Sequence, residues 1–258
     1  MNIFHVFVLS IIEGVTEFLP VSSTGHLILA AKLLAIPESD FSKSFDIFIQ
    51  LGAIMAVVSL YFARIRKEPM IIKPILIAFL PTGILGIVFY KIIKSYLFGN
   101  DTVVVLMLAG VGALLIGLEW YWKKHPAKTH ATIMTLRTKD LLTIGLFQSM
   151  SMIPGVSRAA STIVGGMLSG LHRKEAVEFS FLLAVPTMAA ATGLDLLKSA
   201  HTFTPNEIAL LSMGFILSWA IAFLVIKTFI RVVANATFVG FGYYRIAIAL
   251  LYWLIVTV

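Results

Sequence analysis

A polar stretch at residues 13–26, set between two strongly apolar runs, constrains the fold more than any other part of the sequence. Glu13 and Glu17 are four positions apart, so they share one face of a helix. Pro20 then breaks the helical pattern, because a proline pushes the residue before it out of the α region. The hydroxyl run that follows, residues 22–24, offers oxygens that cap a second helix. We therefore predict a broken helix with a polar tip.

The first half of this broken helix is predicted to end near Phe18, and the second half to begin near Ser23. The N-terminus of a helix carries free N–H groups and the positive end of the dipole, so the tip is suited to binding an anion. In a soluble protein the same residues would be an ordinary cap beside a solvated face. The rest of the chain argues against that simpler interpretation.

The apolar content of the chain places the broken helix in a membrane. Of 258 residues, 59% are hydrophobic and 13% are charged, whereas soluble domains are about 45–50% apolar and about 25% charged. The net charge of +7 lies mostly in loops, so it indicates topology and not nucleic-acid binding. The chain has no cysteine, which excludes disulfides and thiolate chemistry.

The predicted fold class is an all-α polytopic membrane protein with six transmembrane helices and two re-entrant helix hairpins. The spans are expected near residues 45–62, 74–92, 102–122, 176–197, 208–229 and 239–256. The hairpins cover 2–36 and 141–171, and each of their halves is too short to span. Such segments are tolerated in a membrane where the tip is buried in protein or faces water. The basic loops 64–73 and 123–140 are expected in the cytoplasm, which puts both termini outside.

The two halves of the chain are predicted to be inverted repeats. Pro154 lies 134 positions after Pro20, and Phe179 lies 134 positions after Phe45. Each half holds one hairpin and three spans, and an odd number of spans inverts the second half. The predicted division is repeat 1 at residues 1–122, a basic cytoplasmic loop at 123–140, and repeat 2 at 141–258.

The second tip, residues 153–162, puts an arginine into the first turn of its half-helix. Arg158 opposes the helix dipole there, so it needs an anionic partner. An arginine deep in a membrane is costly and is a candidate functional residue by default. The structural alternative is an ion pair with Glu13 or Glu17. We favour function, because hydroxyls and a second helix N-terminus converge on the same place.

These motifs resemble the bacterial undecaprenyl-diphosphate phosphatase family of the bacitracin-resistance type. The resemblance rests on Glu-Gly-Val-Thr-Glu-Phe-Leu-Pro-Val-Ser-Ser-Thr-Gly-His at 13–26 and Pro-Gly-Val-Ser-Arg at 154–158, with further matches at 45–52 and 179–186. It covers essentially the whole chain. It implies a phosphatase that converts undecaprenyl (polyprenyl) diphosphate to the monophosphate and inorganic phosphate, recycling the lipid carrier for cell-wall synthesis with associated bacitracin resistance. It also implies paired re-entrant helices in the bacterial cytoplasmic membrane and a site that faces the periplasm.

The chain departs from the family pattern at two places. The family usually follows its arginine with Ser-Gly, whereas this chain has Ala159 and Ala160, so a hydroxyl is absent at position 159. Asp46 stands where glutamate is more usual. Neither change touches the predicted nucleophile.

Removing a phosphoryl group from a diphosphate needs in-line attack and neutralisation of phosphate charge. Ser23 is the predicted nucleophile, with His26 as general base or acid. Attack by His26 itself, through a phosphohistidine, stays open. Arg158 is expected to clamp phosphate oxygens. Glu13 and Glu17 are expected to bind a divalent cation, Mg²⁺ or Ca²⁺, or to orient His26.

Other residues around the two tips are predicted to bind substrate, namely Ser22, Thr24, Gly25, Gln50, Gly155, Ser157, Ser161 and Thr162. Gln50 and Ser157 would serve equally well in interhelical hydrogen bonds. Arg245 in the last span is expected to snorkel to the inside. Close helix contacts, within one subunit or in a homodimer, are indicated by three glycines, Gly110, Gly112 and Gly117.

The competing class of function is a secondary transporter or lipid flippase. Inverted repeats and broken helices are a usual frame for transporters, and paired glutamates could carry protons. The first tip discriminates between the classes, because transport has no need for a hydroxyl nucleophile three residues from a histidine. We therefore predict an enzyme whose partners are a polyprenyl diphosphate lipid and the bilayer, without nucleic acid.

Overall fold

The computed structural model describes residues 1–92, 100–124, 131–198, 203–233 and 237–257. This part of the chain forms ten α-helices: α1 Ile3–Thr16, α2 Ser23–Leu33, α3 Asp40–Lys67, α4 Ile72–Ile92, α5 Asp101–Lys124, α6 Thr138–Ser149, α7 Arg158–Leu168, α8 Arg173–Lys198, α9 Pro205–Val233 and α10 Val239–Thr257. Strand-like pairing within these residues is limited to one bridge, between Ala131 and Leu171. The all-α class predicted from the sequence is confirmed.

Five of the described helices, α3, α4, α5, α8 and α9, are long and apolar enough to cross a membrane. The apolar part of α10, Val239–Ile255, is shorter, and so is α1. Large apolar side chains such as Ile84, Ile87 and Leu224 face outwards, as expected for a surface in contact with lipid. The chain is therefore a multi-pass membrane protein. The sixth span and the re-entrant course of the short helices stay predictions.

The short helices pack in pairs, and each pair also packs on a long helix from the other half of the chain. α1 lies against α2 and along α9, whereas α6 lies against α7 and along α4. α5 and α10 form a third pair. The tips are the segments that join α1 to α2 and α6 to α7. Because each pair packs on a helix from the other half, both tips lie in the middle of the helical assembly.

The two tips share one local geometry. Ser22 caps α2 with φ 74°, and Ser157 caps α7 with φ 76°. Each serine accepts a hydrogen bond from the N–H three residues on, Gly25 at 3.4 Å and Ala160 at 3.2 Å. Both helices then run for 11 residues. A positive φ is uncommon for a residue other than glycine, and it occurs here at the same place in both tips. The division of the chain into repeats stays a prediction.

The second tip holds one residue more than the first. Pro20 precedes its capping serine by two positions, whereas Pro154 precedes Ser157 by three. The spacing between equivalent positions is therefore 134 at the prolines and 135 at the capping serines. In this register Arg158 occupies the same position as Ser23, the first residue of its helix.

Polar contacts hold α5 at both of its ends. Asp101 at its start pairs with Lys32 of α2 and accepts a hydrogen bond from the Tyr252 hydroxyl at 2.6 Å. Glu119 near its other end pairs with Arg173 of α8 at 2.8 Å. Because a helix of 24 residues is about 36 Å long, these two groups lie far apart, near opposite ends of α5.

The glycines of α5 divide into two kinds. Gly112 lies at a close helix contact, since a Cβ there would be 2.8 Å from the Gly242 carbonyl oxygen of α10. Gly110 and Gly117 have open space where a Cβ would stand, so the close contact expected for them is not made within this subunit's described residues. They lie on the exposed side of α5, away from α10. A homodimer stays a prediction.

Candidate functional site

Ser23 and Glu17 meet across the first tip. The Ser23 hydroxyl donates a hydrogen bond to Oε2 of Glu17 at 2.5 Å. Glu17 is the C-cap of α1 and Ser23 is the first residue of α2, so the turn between the helices brings them face to face. Phe18 beside Glu17 is fully buried and packs edge-on against Phe181 at 5.3 Å, which anchors this side of the turn. A buried carboxylate in this position can take the proton of the serine.

Arg158 joins the second tip to the first. Its Nη2 donates to Oε1 of Glu17 at 3.0 Å, and its Nη1 donates to the Ser180 carbonyl at 3.0 Å. The guanidinium also lies over the ring of Phe18, 5.3 Å from the centroid. Its Nε is buried and has no hydrogen-bond partner among the described residues. Of the two carboxylates considered as partners, Glu17 is the one that pairs, and Arg158 retains a free donor.

Both ring nitrogens of His26 are engaged. Nδ1 lies 2.7 Å from the Ser22 carbonyl, and Nε2 lies 2.8 Å from the Tyr244 hydroxyl. A carbonyl only accepts, so Nδ1 carries the proton, and in the neutral ring Nε2 accepts from the phenol. No hydrogen bond joins His26 to Ser23 in the described part of the chain, although the sequence favours this histidine as the base. The imidazole folds back over the preceding turn, and Glu17 accepts the hydrogen bond of the Ser23 hydroxyl instead.

Glu13 is completely buried, and neither of its carboxylate oxygens accepts a hydrogen bond from a described residue. The Ser10 hydroxyl, one turn earlier on α1, is buried and unpaired in the same way. Buried polar groups without partners need water, a proton or an ion. The charged groups of Glu17, Asp46 and Arg158 lie close enough to interact electrostatically with this carboxylate.

No metal-binding group is gathered around the two glutamates in the described part of the chain. Both oxygens of Glu17 are in use, one on Arg158 and one on Ser23. No group of three or more histidine, aspartate or glutamate side chains is placed to hold a metal within the described residues. Of the two glutamates, Glu13 is the one whose carboxylate oxygens have no hydrogen-bond partner among the described residues, and a bound cation stays a prediction.

The hydroxyls of the second tip support the backbone and Arg158. The Ser161 hydroxyl donates to the Ser157 carbonyl at 3.0 Å, so it does not replace the hydroxyl that is absent at Ala159. Ala159 packs in the main hydrophobic core. Thr162 shares a 2.5 Å hydrogen bond with the hydroxyl of Ser180, the residue whose carbonyl holds Arg158.

Four further predicted residues differ in how close they lie to this site. The Gly25 N–H donates to the hydroxyl oxygen of the capping Ser22, and Thr24 beside it is half-buried. Gly155 has φ 93°, and a Cβ there would lie 2.7 Å from the Val104 carbonyl oxygen, so only glycine fits. Gln50 is half-buried on α3 and makes no hydrogen bond to either tip within the described residues.

Arg245 of α10 is the central residue that the sequence reasoning missed. It does not snorkel, because its side chain is 0% exposed. Its guanidinium donates to the Pro20 carbonyl of the first tip at 3.2 Å and to the Gly155 carbonyl of the second tip at 2.7 Å. Two carbonyls of α5, those of Met107 and Leu108, accept its remaining hydrogen bonds. The signal was an arginine inside an apolar span, which requires buried partners.

Two cavities lie apart from this site. A cavity of about 630 Å³ lies at the N-terminal ends of α1 and α9, and another of about 430 Å³ lies between α5 and α10. Neither of these cavities is lined by Ser23, His26 or Arg158. Ser23 and His26 are buried among the packed helices, away from these two cavities.

Comparison with known proteins gives a consistent result over nearly the full chain. The family described as "Bacitracin resistance protein BacA" matches residues 6–251. An undecaprenyl-diphosphatase of Aquifex aeolicus (strain VF5) is 51% identical over 245 residues, which covers 95% of this chain and 95% of the relative. Similar proteins of the same name come from Wolinella succinogenes, at 46% identity over 98% of this chain and 97% of the relative, and Persephonella marina, at 48% over 99% and 100%.

Proposed function

This chain belongs to the bacitracin resistance protein BacA family, and we propose that it is an integral-membrane undecaprenyl-diphosphate phosphatase. Its products are undecaprenyl monophosphate and inorganic phosphate, so the reaction returns the lipid carrier to cell-wall synthesis. The observation that carries the proposal at residue level is the shared carboxylate of Glu17, which contacts Ser23 and Arg158 together. Nucleophile, base and phosphate ligand are thereby gathered at one point.

The first step is attack by Ser23 on the terminal phosphorus. Glu17 accepts the hydroxyl proton as Oγ bonds to phosphorus. The bond from that phosphorus to the bridging oxygen breaks, and the prenyl monophosphate leaves with the electron pair. A phosphoserine and a protonated Glu17 remain.

The second step is hydrolysis of the phosphoserine. Water bonds to phosphorus and keeps both of its protons on the departing phosphate, while the bond to Ser23 Oγ breaks. Glu17 returns its proton to the serine oxygen, which restores the starting state. Attack by His26 is disfavoured, because both of its ring nitrogens already hold hydrogen bonds.

Arg158 and the two helix starts supply positive charge to the diphosphate. The N-termini of α2 and α7 meet at the tips, and an anion at a helix N-terminus is stabilised by free N–H groups and the dipole. Arg158 has an unpaired Nε and can form the two-pronged contact that suits phosphate. In binding substrate, the guanidinium exchanges the carboxylate of Glu17 for phosphate oxygens.

A divalent cation, Mg²⁺ or Ca²⁺, would be held by Glu13, whose oxygens are free. Such an ion supplies charge neutralisation at the transferring phosphoryl group. Glu17 would share it only after releasing Arg158.

We place this site on the periplasmic side of the bacterial cytoplasmic membrane, in an inverted-repeat fold of six spans and two re-entrant hairpins. The basic loops 64–73 and 123–140 support a cytoplasmic end. Glu119 with Arg173 lies at that end of α5, and Asp101 with Lys32 lies at the other. The matched caps at Ser22 and Ser157 support repeats at residues 1–122 and 141–258.

Phosphate release from undecaprenyl diphosphate by the purified protein in detergent tests the proposal. Ser23→Ala should abolish release, whereas Ser212→Ala, a substitution at an exposed serine of α9, should leave it unchanged. Tight binding of the diphosphate without any phosphate release by the parent protein would favour a transporter or flippase instead.

A further inference from the structure

We propose that Tyr244 is a positioning residue that fixes His26 in one tautomer and keeps its Nε2 as a proton acceptor at the site. The inference rests on the proposed phosphatase function, because it assigns a task to the histidine of that site. Tyr244 lies in α10, far along the chain from the two tips, and it belongs to neither of the motifs at residues 13–26 and 154–158.

The contact between the two side chains has two parts. The Tyr244 hydroxyl lies 2.8 Å from Nε2 of His26. The phenol and imidazole rings are also nearly parallel, with an interplanar angle of 6° and centroids 5.5 Å apart. Stacking sets the plane of the imidazole, and the hydrogen bond sets which nitrogen lacks the proton.

The second tip provides an internal comparison. Both capping serines have a carbonyl that receives a side-chain donor from four residues on, His26 Nδ1 for Ser22 and the Ser161 hydroxyl for Ser157. A serine hydroxyl is therefore sufficient to support a capping residue with positive φ. An imidazole at this position adds only one thing, a second nitrogen, and that nitrogen is the one that Tyr244 contacts.

The groups around His26 favour a neutral imidazole. α10 contributes the Tyr244 hydroxyl and the Arg245 guanidinium, and the tip contributes the Ser22 carbonyl. No carboxylate pairs with His26 among the described residues, so nothing there compensates a positive charge on the ring. The neutral ring with its proton on Nδ1 presents Nε2 to whichever water or phosphate group displaces the phenol.

Tyr244→Phe tests the proposal, because it keeps the stacked ring and removes the hydroxyl. We expect kcat to fall about tenfold, in line with the loss of one part-buried hydrogen bond, with KM little changed. The acid limb of the pH–rate profile should move to higher pH, because an Nε2 without its donor takes up a proton more readily. Tyr243→Phe is the matched control, since this neighbouring tyrosine is exposed on the same helix.

His26→Ser separates the cap from the second nitrogen. It copies the Ser161 arrangement, so the protein should fold and keep its thermal stability while losing most of its activity. Tyr244→Phe should have no further effect on activity in this background, because its partner is absent.

Nitrogen NMR of protein labelled at histidine reads the tautomer directly, with His26→Ser identifying the His26 signals. The parent should show a neutral ring protonated at Nδ1, and Tyr244→Phe should shift the Nε2 signal, whereas Tyr243→Phe should not. Unchanged kinetics, pH profile and Nε2 signal in Tyr244→Phe would overturn the inference. A parent that releases no phosphate would overturn the proposed function, and the NMR spectra would still decide the role of Tyr244.

Discussion

Arg158 and Glu17 form an ion pair at 3.0 Å although 141 positions of sequence separate them. Both side chains are nearly buried, at 10% and 6% exposure. The pair is therefore the point at which one half of the chain completes the site of the other. A carboxylate that also holds the serine makes this contact part of the chemistry as well as of the fold.

Arg158→Lys should be no more active than Arg158→Ala, because lysine keeps the charge and loses the planar guanidinium that holds two oxygens. Arg158→Ala should weaken diphosphate binding about 10- to 100-fold, the equivalent of one or two hydrogen bonds to a charged group, and should leave binding of the prenyl alcohol unchanged. Titration calorimetry with both ligands measures the difference. Arg66→Ala, at an exposed position of α3, is the control. Equal affinities for the diphosphate in Arg158→Ala and the parent would confine the arginine to a structural ion pair.

Glu17→Gln should reduce kcat by about 10²–10⁴-fold, the range for loss of a general base. Ser23→Ala should be at least as severe, and the double variant should be no worse than Ser23→Ala, because the two groups act as one unit. Single-turnover kinetics measure the rates. A trapped phosphoenzyme that is labile to acid and located on His26 would replace the serine mechanism.

Arg245→Met should separate the two tips, since four carbonyls lose their donor. We expect a loss of at least about 3 kcal/mol of stability, from buried carbonyls left unpaired. Arg231→Met, at the exposed end of α9, should be neutral. Thermal unfolding in detergent compares the two, and equal melting temperatures would show that Arg245 does not hold the tips together.

Chelation should lower phosphate release at least about tenfold if a divalent cation neutralises the phosphate, and added Mg²⁺ or Ca²⁺ should restore it. Glu13→Gln should remove the response to the cation, because its oxygens are the free ones. An enzyme that turns over at full rate in chelator would leave Glu13 with a proton or water as its partner.

Single cysteines test the orientation in this cysteine-free chain. Ser39→Cys, at the N-cap of α3, should react with an impermeant thiol reagent applied to intact cells. Lys128→Cys should not react; this position lies outside the described residues, in the basic loop 123–140. Equal labelling of both positions would contradict the proposed topology.

The local features of the site followed from the sequence, and its long-range contacts did not. Capping chemistry predicted that a helix begins at Ser23, because serine oxygens satisfy free N–H groups at a helix start. The choice between His26 and Glu17 as partner of Ser23 depends on the course of the turn at Pro20, which residue spacing does not determine. Helical spacing favoured the histidine, whereas the turn brings the glutamate closer.

The role of Arg245 was beyond sequence reasoning for a similar reason. An arginine in a span shows that a partner must exist, and snorkelling was the simplest solution. The partners are backbone carbonyls of three separate segments. Every residue has a backbone carbonyl, so the sequence does not indicate which ones accept from Arg245. The single-residue difference between the tips is likewise invisible until both capping serines are seen in the same geometry.

Because α2 and α7 are capped in the same way, the side chain of their first residue can differ without a change in the backbone. The side chains of Ser22 and Ser157 cap these helices, so the side chain of the next residue is not needed for capping. One copy of this design carries a nucleophile, Ser23, and the other carries a cation, Arg158. If the two segments arose by duplication, a change of this one side chain is enough to give one copy a nucleophile and the other a phosphate ligand. The backbone of both turns stays the same.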